Sequence, residues 1–156
     1  MSKHRKLTNR KTIHIEWGDC DPAQIVYFPR YFAYFDNCTA ALFKKAGLAK
    51  REMLKTYNII GIPLVDVRAT FRAPSRFSDV VIVESEIAEV RRSSFCVRHR
   101  LFNDKTLAVE CVETRVWAKR SANHPERIES VAIPPEVTDL LSKGKRRKSA
   151  SRRQRH

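Results

Sequence analysis

Apolar positions along the chain change period once, and that change divides the sequence into a helical first third and a strand-rich remainder. Residues 12–17 (TIHIEW) set Ile13 and Ile15 against His14 and Glu16, a period of two that predicts a strand. Gly18 ends it, and GDCDPAQ follows as a loop rich in turn formers. Pro29 suits the first turn of a helix, where its missing N–H costs nothing. RYFAYFDNCTAALFKKAG, residues 30–47, then reads as one helix closed by Lys44, Lys45 and Gly47. Its apolar residues run most of the way round, which predicts burial on most faces. A second short helix is expected over 50–57.

Beyond Gly61 and Pro63 the period is two. IPLVDVRATFR (62–72), DVVIVESEIAEV (79–90), SFCVRHRLF (94–102) and TLAVECVETRVWAK (106–119) read as strands. APSRFSD turns the chain before the second, while RRSS and NDK are short enough for antiparallel hairpins. IPPEVTDLL adds one helical turn at 133–141. Helices segregated from a run of strands predict an α+β domain. One long helix can cover one face of a sheet of about five antiparallel strands. If the sheet curls round that helix, the architecture is a hotdog fold.

Charge changes the picture only at the ends. The 156 residues carry 31 Lys+Arg against 17 Asp+Glu, a formal net charge of +14. Such a balance first suggests nucleic acid or an anionic surface. Thirteen of the basic groups lie in residues 1–11 and 143–156, which hold no acid, so 12–142 carries 18 basic against 17 acidic groups. The expected organisation is a basic disordered tail (1–11), one folded domain (12–142) and a second basic disordered tail (143–156). Specific nucleic-acid binding is not expected of the body. A non-catalytic ligand-binding protein, or one associated with nucleic acid or an anionic surface through its basic tails, is the competing class. No apolar run reaches the ~18 residues of a spanning helix, and MSKHRKLTNR leads into no apolar signal core, so a cytoplasmic location is expected. Cys20, Cys38, Cys96 and Cys111 form no CxxC pair, and the five histidines no cluster, so reduced thiols and no metal are expected. A dehydratase would need a His paired with an acid beside the helix, and no His lies between His14 and His99.

The chemistry is concentrated in GDCDPAQIVYFPRYFAYFD, residues 18–36. Asp19 and Asp21 sit in a tight loop just before a helix start, whose free N–H groups and dipole can hold a carboxylate or the oxygen of a carbonyl under attack. A carboxylate beside an oxyanion site is the minimum equipment for acyl transfer. On spacing alone, an acid that merely caps the helix or shapes the turn satisfies the same pattern.

Gly18, Asp19, Cys20, Asp21, Pro22, Ala23, Ile25, Val26, Tyr27, Phe28 and Pro29 together resemble the signature of the 4-hydroxybenzoyl-CoA thioesterase family of hotdog enzymes. GIPLV at 61–65, FRAPSRFSDVVIVES at 71–85 and VRRSSF at 90–95 are similar to the family pattern too, so the resemblance covers roughly 12–135. It implies that Asp21 is the catalytic carboxylate, either attacking a thioester carbonyl or activating water, with the backbone N–H of Phe28 as oxyanion donor. It makes Asp19 a loop-structuring acid and implies substrate contacts at Tyr27 and Gly61. It needs no cofactor, coenzyme A being part of the substrate. It implies phosphate contacts at Arg91, Arg92 and Ser93, where the family usually has Lys at the last position. Arg127 is a further candidate; a family arginine two positions on is Glu129 here. Asp36, within an aromatic stretch, is read either as facing the acyl pocket to bind a substrate hydroxyl or as paired with a neighbour such as an Arg. Tyr31, Phe32, Tyr34 and Phe35 are candidate pocket walls or plain core. The family forms homodimers or dimer-of-dimers tetramers, with the active site between subunits.

Overall fold

The computed structural model describes residues 6–143. The expected tails at 1–5 and 144–156 lie outside the described residues. A five-stranded, fully antiparallel sheet in the order β1-β3-β4-β5-β2 packs against one long helix. Its strands are β1 (Thr8–His14), β2 (Leu64–Phe71), β3 (Val80–Val90), β4 (Ser94–Asn103) and β5 (Thr106–Val116), and the helix is α1 (Phe28–Lys45). Helix α2 (Lys50–Tyr57) links α1 to β2. A small hairpin of β6 (Ala118–Arg120) and β7 (Ile128–Ser130) and helix α3 (Pro135–Lys143) follow the sheet. The α+β hotdog expectation holds.

Helix α1 buries Tyr31, Tyr34, Phe35, Cys38, Thr39, Leu42 and Phe43, the three-and-four spacing of one helical face. Its N-terminal half packs on Val81, Val83, Leu101, Val109 and Cys111 of the sheet. Its C-terminal half packs with α2 and α3 around Trp117, Phe95 and Leu141. The helix is not buried on most faces, as its composition suggested. Ala33, Asp36, Asn37 and Ala40 form an exposed stripe, because a single sheet covers only one side.

Strand β1 begins at Thr8, so residues 8–11 belong to the sheet and not to a tail, and Leu7 is buried beside them. These polar residues are held by cross-strand pairing: Arg10 faces Glu84 at 3.6 Å, and Lys6 reaches Glu86 at 3.0 Å. Glu86 also takes Arg98 at 2.9 Å, and although burial pushes its carboxyl up, these two cations hold it below the usual range. The β6–β7 hairpin divides what the sequence suggests is one run to Lys119. All four cysteines are free. Burial pushes the Cys38 thiol up to about 11 and that of Cys111 to about 12, so both stay protonated.

Candidate functional site

The loop before α1 is a small hairpin in its own right. Cys20 bridges Val26, the Asp21 N–H donates to the Ile25 carbonyl at 3.0 Å, and Gln24 turns the chain at φ 65°. Asp21 Oδ1 accepts the Ala23 N–H at 2.8 Å, which fixes the carboxylate, and its other oxygen takes no partner among the described residues. Asp19 is spent on the loop itself. Its Oδ2 accepts the Glu16 N–H at 3.1 Å, its carbonyl accepts the Tyr27 N–H at 2.8 Å, and Arg30 lies 3.9 Å from its Oδ1. Phe28 is the first residue of α1, Pro29 has no N–H and the Arg30 N–H donates to the Tyr27 carbonyl at 2.8 Å, so the Phe28 N–H is the first donor that the helix start offers. That N–H has no partner among the described residues. Tyr27 is the exposed N-cap, its ring edge-on to Phe28 at 5.6 Å.

Two hollows flank this loop. The larger, about 500 Å³, is lined by Trp17, Cys20, Asp21, Pro22, Gln24, Arg76 and Phe77. The smaller, about 250 Å³, includes Phe28, Tyr31, Phe71 and Arg72. Of the aromatic candidates, Tyr34 and Phe35 are core and Tyr31 lines the smaller hollow. The buried Tyr34 hydroxyl has no hydrogen-bond partner among the described residues, and burial together with the nearby Asp19 carboxylate raises its pKa.

The remaining candidates lie elsewhere. The Arg91–Ser93 turn joins β3 to β4, at the opposite end of an 11-residue strand whose first residue adjoins the loop. At ~3.3 Å per residue the two ends are roughly 33 Å apart. Gly61 and Arg127 are at the Arg91 end too. Gly61 bridges Ala118 at φ 148°, in a region that favours glycine. Trp117 N–H donates to the Ser93 carbonyl and Ile133 N–H to that of Arg92, which docks the β6–β7 hairpin carrying Arg127 against the same turn. Arg91 is already held by Glu89 through two bonds of 3.0 and 2.9 Å, whereas Arg92 is exposed without an ion pair among the described residues. In one chain, therefore, Asp21, Tyr27 and Phe28 share the loop before α1, whereas Gly61, Arg91, Arg92, Ser93 and the hairpin that carries Arg127 lie toward the other end of the sheet.

Asp36 is not buried. Its side chain is 61% exposed and pairs with Arg115 at 2.9 Å, so the arginine-partner alternative describes the geometry. It lies eight residues beyond Phe28, about 12 Å along the helix, and lines a different hollow from Asp21. Behind it runs a polar chain the sequence did not reveal. Arg115 Nε donates to Glu113 Oε2 at 2.8 Å, Thr39 donates to the same oxygen at 2.8 Å, and His99 Nε2 lies 3.3 Å from Glu113 Oε1. His99 Nδ1 meets Ser85 Oγ at 2.7 Å, and its ring stacks on Phe35. A His–acid pair does lie against α1, contrary to the argument from His spacing, yet His99 and Glu113 are 0% and 2% exposed and line none of the hollows described here. Among the described residues no group of three or more His, Cys, Asp or Glu is arranged to hold a metal ion, and no helix is long and apolar enough to cross a membrane.

Residues 15–141 match the family model described as the thioesterase-like superfamily. The chain is 36% identical over 134 residues to the 4-hydroxybenzoyl-CoA thioesterase of Pseudomonas sp. (strain CBS-3), covering 82% of this chain and 93% of that protein. Over 92 residues it is 25% identical to a 1,4-dihydroxy-2-naphthoyl-CoA hydrolase of Prochlorococcus marinus (strain NATL2A), covering 55% and 59%. A mutant 4-hydroxybenzoyl-CoA thioesterase solved in complex with 4-hydroxybenzoyl-CoA superposes with a TM-score of 0.80 at 32% identity, covering 87% of this chain and 99% of that one.

Proposed function

The chain belongs to the thioesterase-like superfamily and, within it, to the 4-hydroxybenzoyl-CoA thioesterase family, and from that premise we propose how its own residues perform the hydrolysis. It is an acyl-CoA thioesterase. Its substrate is an aroyl-CoA, with 4-hydroxybenzoyl-CoA as the reference, and the ester is cleaved to free acid and coenzyme A. The observation that carries the assignment of roles is Asp21, with one oxygen tied to the Ala23 N–H and the other without a partner among the described residues, in the same short loop that leads to the unpartnered N–H of Phe28.

The open oxygen of Asp21 attacks the thioester carbonyl carbon. A C–O bond forms, the carbonyl oxygen takes the charge, and the Phe28 N–H donates to it. As the carbonyl re-forms, the C–S bond breaks and coenzyme A leaves as its thiolate, to be protonated by solvent. Water then cleaves the mixed anhydride and restores the carboxylate. The helix's positive end favours the oxyanion at no cost in reorganisation.

The phosphates of coenzyme A would meet Arg92, with Arg91, Ser93 and Arg127 beside it, and these must come from a second subunit. Strand β2 is a sheet edge with Leu64, Val65 and Phe71 exposed at 44%, 59% and 48%. Antiparallel pairing of two β2 edges would set the Gly61 end of one chain against the Phe71 end of the other, and Phe71 shares a hollow with Phe28. A homodimer, alone or within a tetramer, is thus the working unit in this reading, and Asp36 would offer its exposed oxygen to a ring hydroxyl across that interface. Four unbridged thiols suit a cytoplasmic location.

Asp21→Asn tests the roles. It keeps shape and hydrogen bonding and removes the nucleophile. Release of coenzyme A thiol from 4-hydroxybenzoyl-CoA should fall at least ~100-fold. Hydrolysis at the wild-type rate would remove Asp21 from the mechanism.

A further inference from the structure

Arg115 is a residue that stability alone does not explain. It belongs to the buried row of β5 that holds Val109, Cys111 and Glu113, and its side chain is only 9% exposed. A buried ion pair is seldom more stabilising than apolar side chains filling the same space, and a pair with an exposed carboxylate contributes little. Yet the guanidinium reaches three separate acceptors. Its Nε donates to Glu113 Oε2 at 2.8 Å, its Nη1 to the Ile62 carbonyl at 3.1 Å and its Nη2 to Asp36 Oδ1 at 2.9 Å.

Two of these acceptors are themselves held. Glu113 also accepts from Thr39 at 2.8 Å and lies 3.3 Å from His99, which meets Ser85 Oγ at 2.7 Å. The Ile62 carbonyl lies just ahead of β2, where Leu64 pairs with Arg115 and one extra residue, Val65, precedes the Asp66–Thr114 pair. A bulge of this kind re-aims the side chains around it. Asp36 is different: it is 61% exposed, and its second oxygen takes no partner among the described residues. An exposed carboxylate of this kind would move among rotamers; Arg115 fixes it.

We propose that Arg115 is a positioning residue for the acyl end of the substrate: braced by Glu113 and the Ile62 carbonyl, it holds Asp36 so that the second carboxylate oxygen is left for a ring hydroxyl, and it thereby sets the preference for hydroxylated over unsubstituted aroyl esters. The inference rests on the assignment of Asp36 to the ring hydroxyl made above, and names what makes that contact selective. Binding through a side chain already immobilised avoids the ordering cost that a free one carries. The planar fork matters because its acceptors lie in three directions, which a single ammonium does not match. Since Ile62 leads into the β2 edge, the same brace fixes Asp36 relative to the edge at which the second subunit would dock.

The test compares 4-hydroxybenzoyl-CoA with benzoyl-CoA on the full chain and on its Asp36→Ala, Arg115→Lys and doubly substituted variants, each checked for folding by thermal melting. Wild type should favour the hydroxylated ester at least about tenfold in kcat/KM, the effect of a hydrogen bond to a charged group. Asp36→Ala should abolish that preference. Arg115→Lys keeps the buried cation and should cut the preference roughly three- to tenfold, chiefly through KM. Added to Asp36→Ala, it should leave the ratio of the two esters unchanged. A wild-type ratio in Arg115→Lys beside a lost preference in Asp36→Ala overturns the proposal and leaves the reading of Asp36 standing; so does an equal loss on both esters, which a merely structural residue would give. A preference that survives Asp36→Ala, or is missing from wild type, sinks the reading of Asp36 and the proposal with it. Should Arg115→Lys not fold, Glu113→Gln, which loosens the same guanidinium, must lower the ratio, and an unchanged ratio overturns the proposal. If wild type hydrolyses neither ester, the hydrolytic reading fails, and calorimetric titration of both esters into the same proteins decides the proposal on affinity ratios.

Discussion

Glu113→Gln asks whether the buried chain behind α1 is held by charge or by shape. Glu113 receives hydrogen bonds of 2.8 Å from both Thr39 and Arg115, and His99 lies 3.3 Å from its other oxygen. Burial by itself would raise its pKa, but the bonds and charges of His99 and Arg115 outweigh burial and hold the carboxyl below its usual range. Glutamine fits the same space and can still accept from Thr39, but it leaves the Arg115 guanidinium, 9% exposed, without its buried counter-charge. Removing one partner of a buried pair costs about 3–5 kcal/mol. At ~2–4 °C per kcal/mol for a chain of this size, that is a drop in Tm of roughly 6–20 °C. Asp36→Ala removes the same guanidinium's exposed partner, for which about 0–1 kcal/mol is expected. The two variants therefore differ severalfold although both pair with Arg115 at under 3 Å. Thermal and urea unfolding at fixed protein concentration, with unchanged m-values, supply the comparison. A double variant, Glu113→Gln with Arg115→Met, should cost less than the two single losses together, because no charge is left buried alone. If Glu113→Gln melts within about 1 kcal/mol of wild type, or costs no more than Asp36→Ala, the chain is held by packing and the electrostatic argument is wrong.

Acid should expose the same feature. The folded pKa of Glu113 and Glu86 is below the unfolded value, so their contribution is full above the unfolded carboxylate pKa and is lost as pH falls through the folded one; Tm should decline across and below about pH 4, with a shallower slope in Glu113→Gln. Phe28→Pro deletes the oxyanion donor where the backbone already tolerates it, since Tyr27 is at φ −65°, ψ 121°, as a residue before proline prefers. Relative to Phe28→Ala, kcat should drop roughly 10²–10³-fold with KM and Tm little changed, and a fall confined to KM would reassign that N–H. Val65→Lys places a charge on the open β2 edge; sedimentation should show a lighter species and thiol-release assays a matching loss of activity, and an unaltered mass would mean that β2 is not the interface.

What the sequence made legible was local. Pro29 and the Lys44, Lys45, Gly47 ending bracket α1, residues 50–57 form α2 as expected, and RRSS and NDK are the turns of the two central hairpins. What it hid depends on partners distant in the chain. Thr8–Lys11 look like a solvated tail until Glu84 and Glu86 on β3 are placed opposite. Asp36 looks buried because aromatics surround it in sequence, whereas on the helix it shares a stripe with Ala33, Asn37 and Ala40. Those alanines also count as apolar without being core, which is why α1 reads as buried all round. His99 and Glu113 carry no joint signal, since they meet only when β4 and β5 pair with His99 opposite Cys111 and Val97 opposite Glu113.

The division of the candidate site has a consequence for how activity and assembly are linked. Asp21 and Phe28 stand at one end of the sheet and the uncommitted Arg92 at the other, roughly 33 Å away along β3. No single chain can close that gap, because both ends are anchored: the first by Val26 to Ser75, the second by Ile133 to Arg92. On the reading proposed here, the antiparallel symmetry of two β2 edges closes it without moving either end. Any change that weakens that edge should then cost phosphate recognition and transition-state positioning together, even when every residue named in the chemistry is intact.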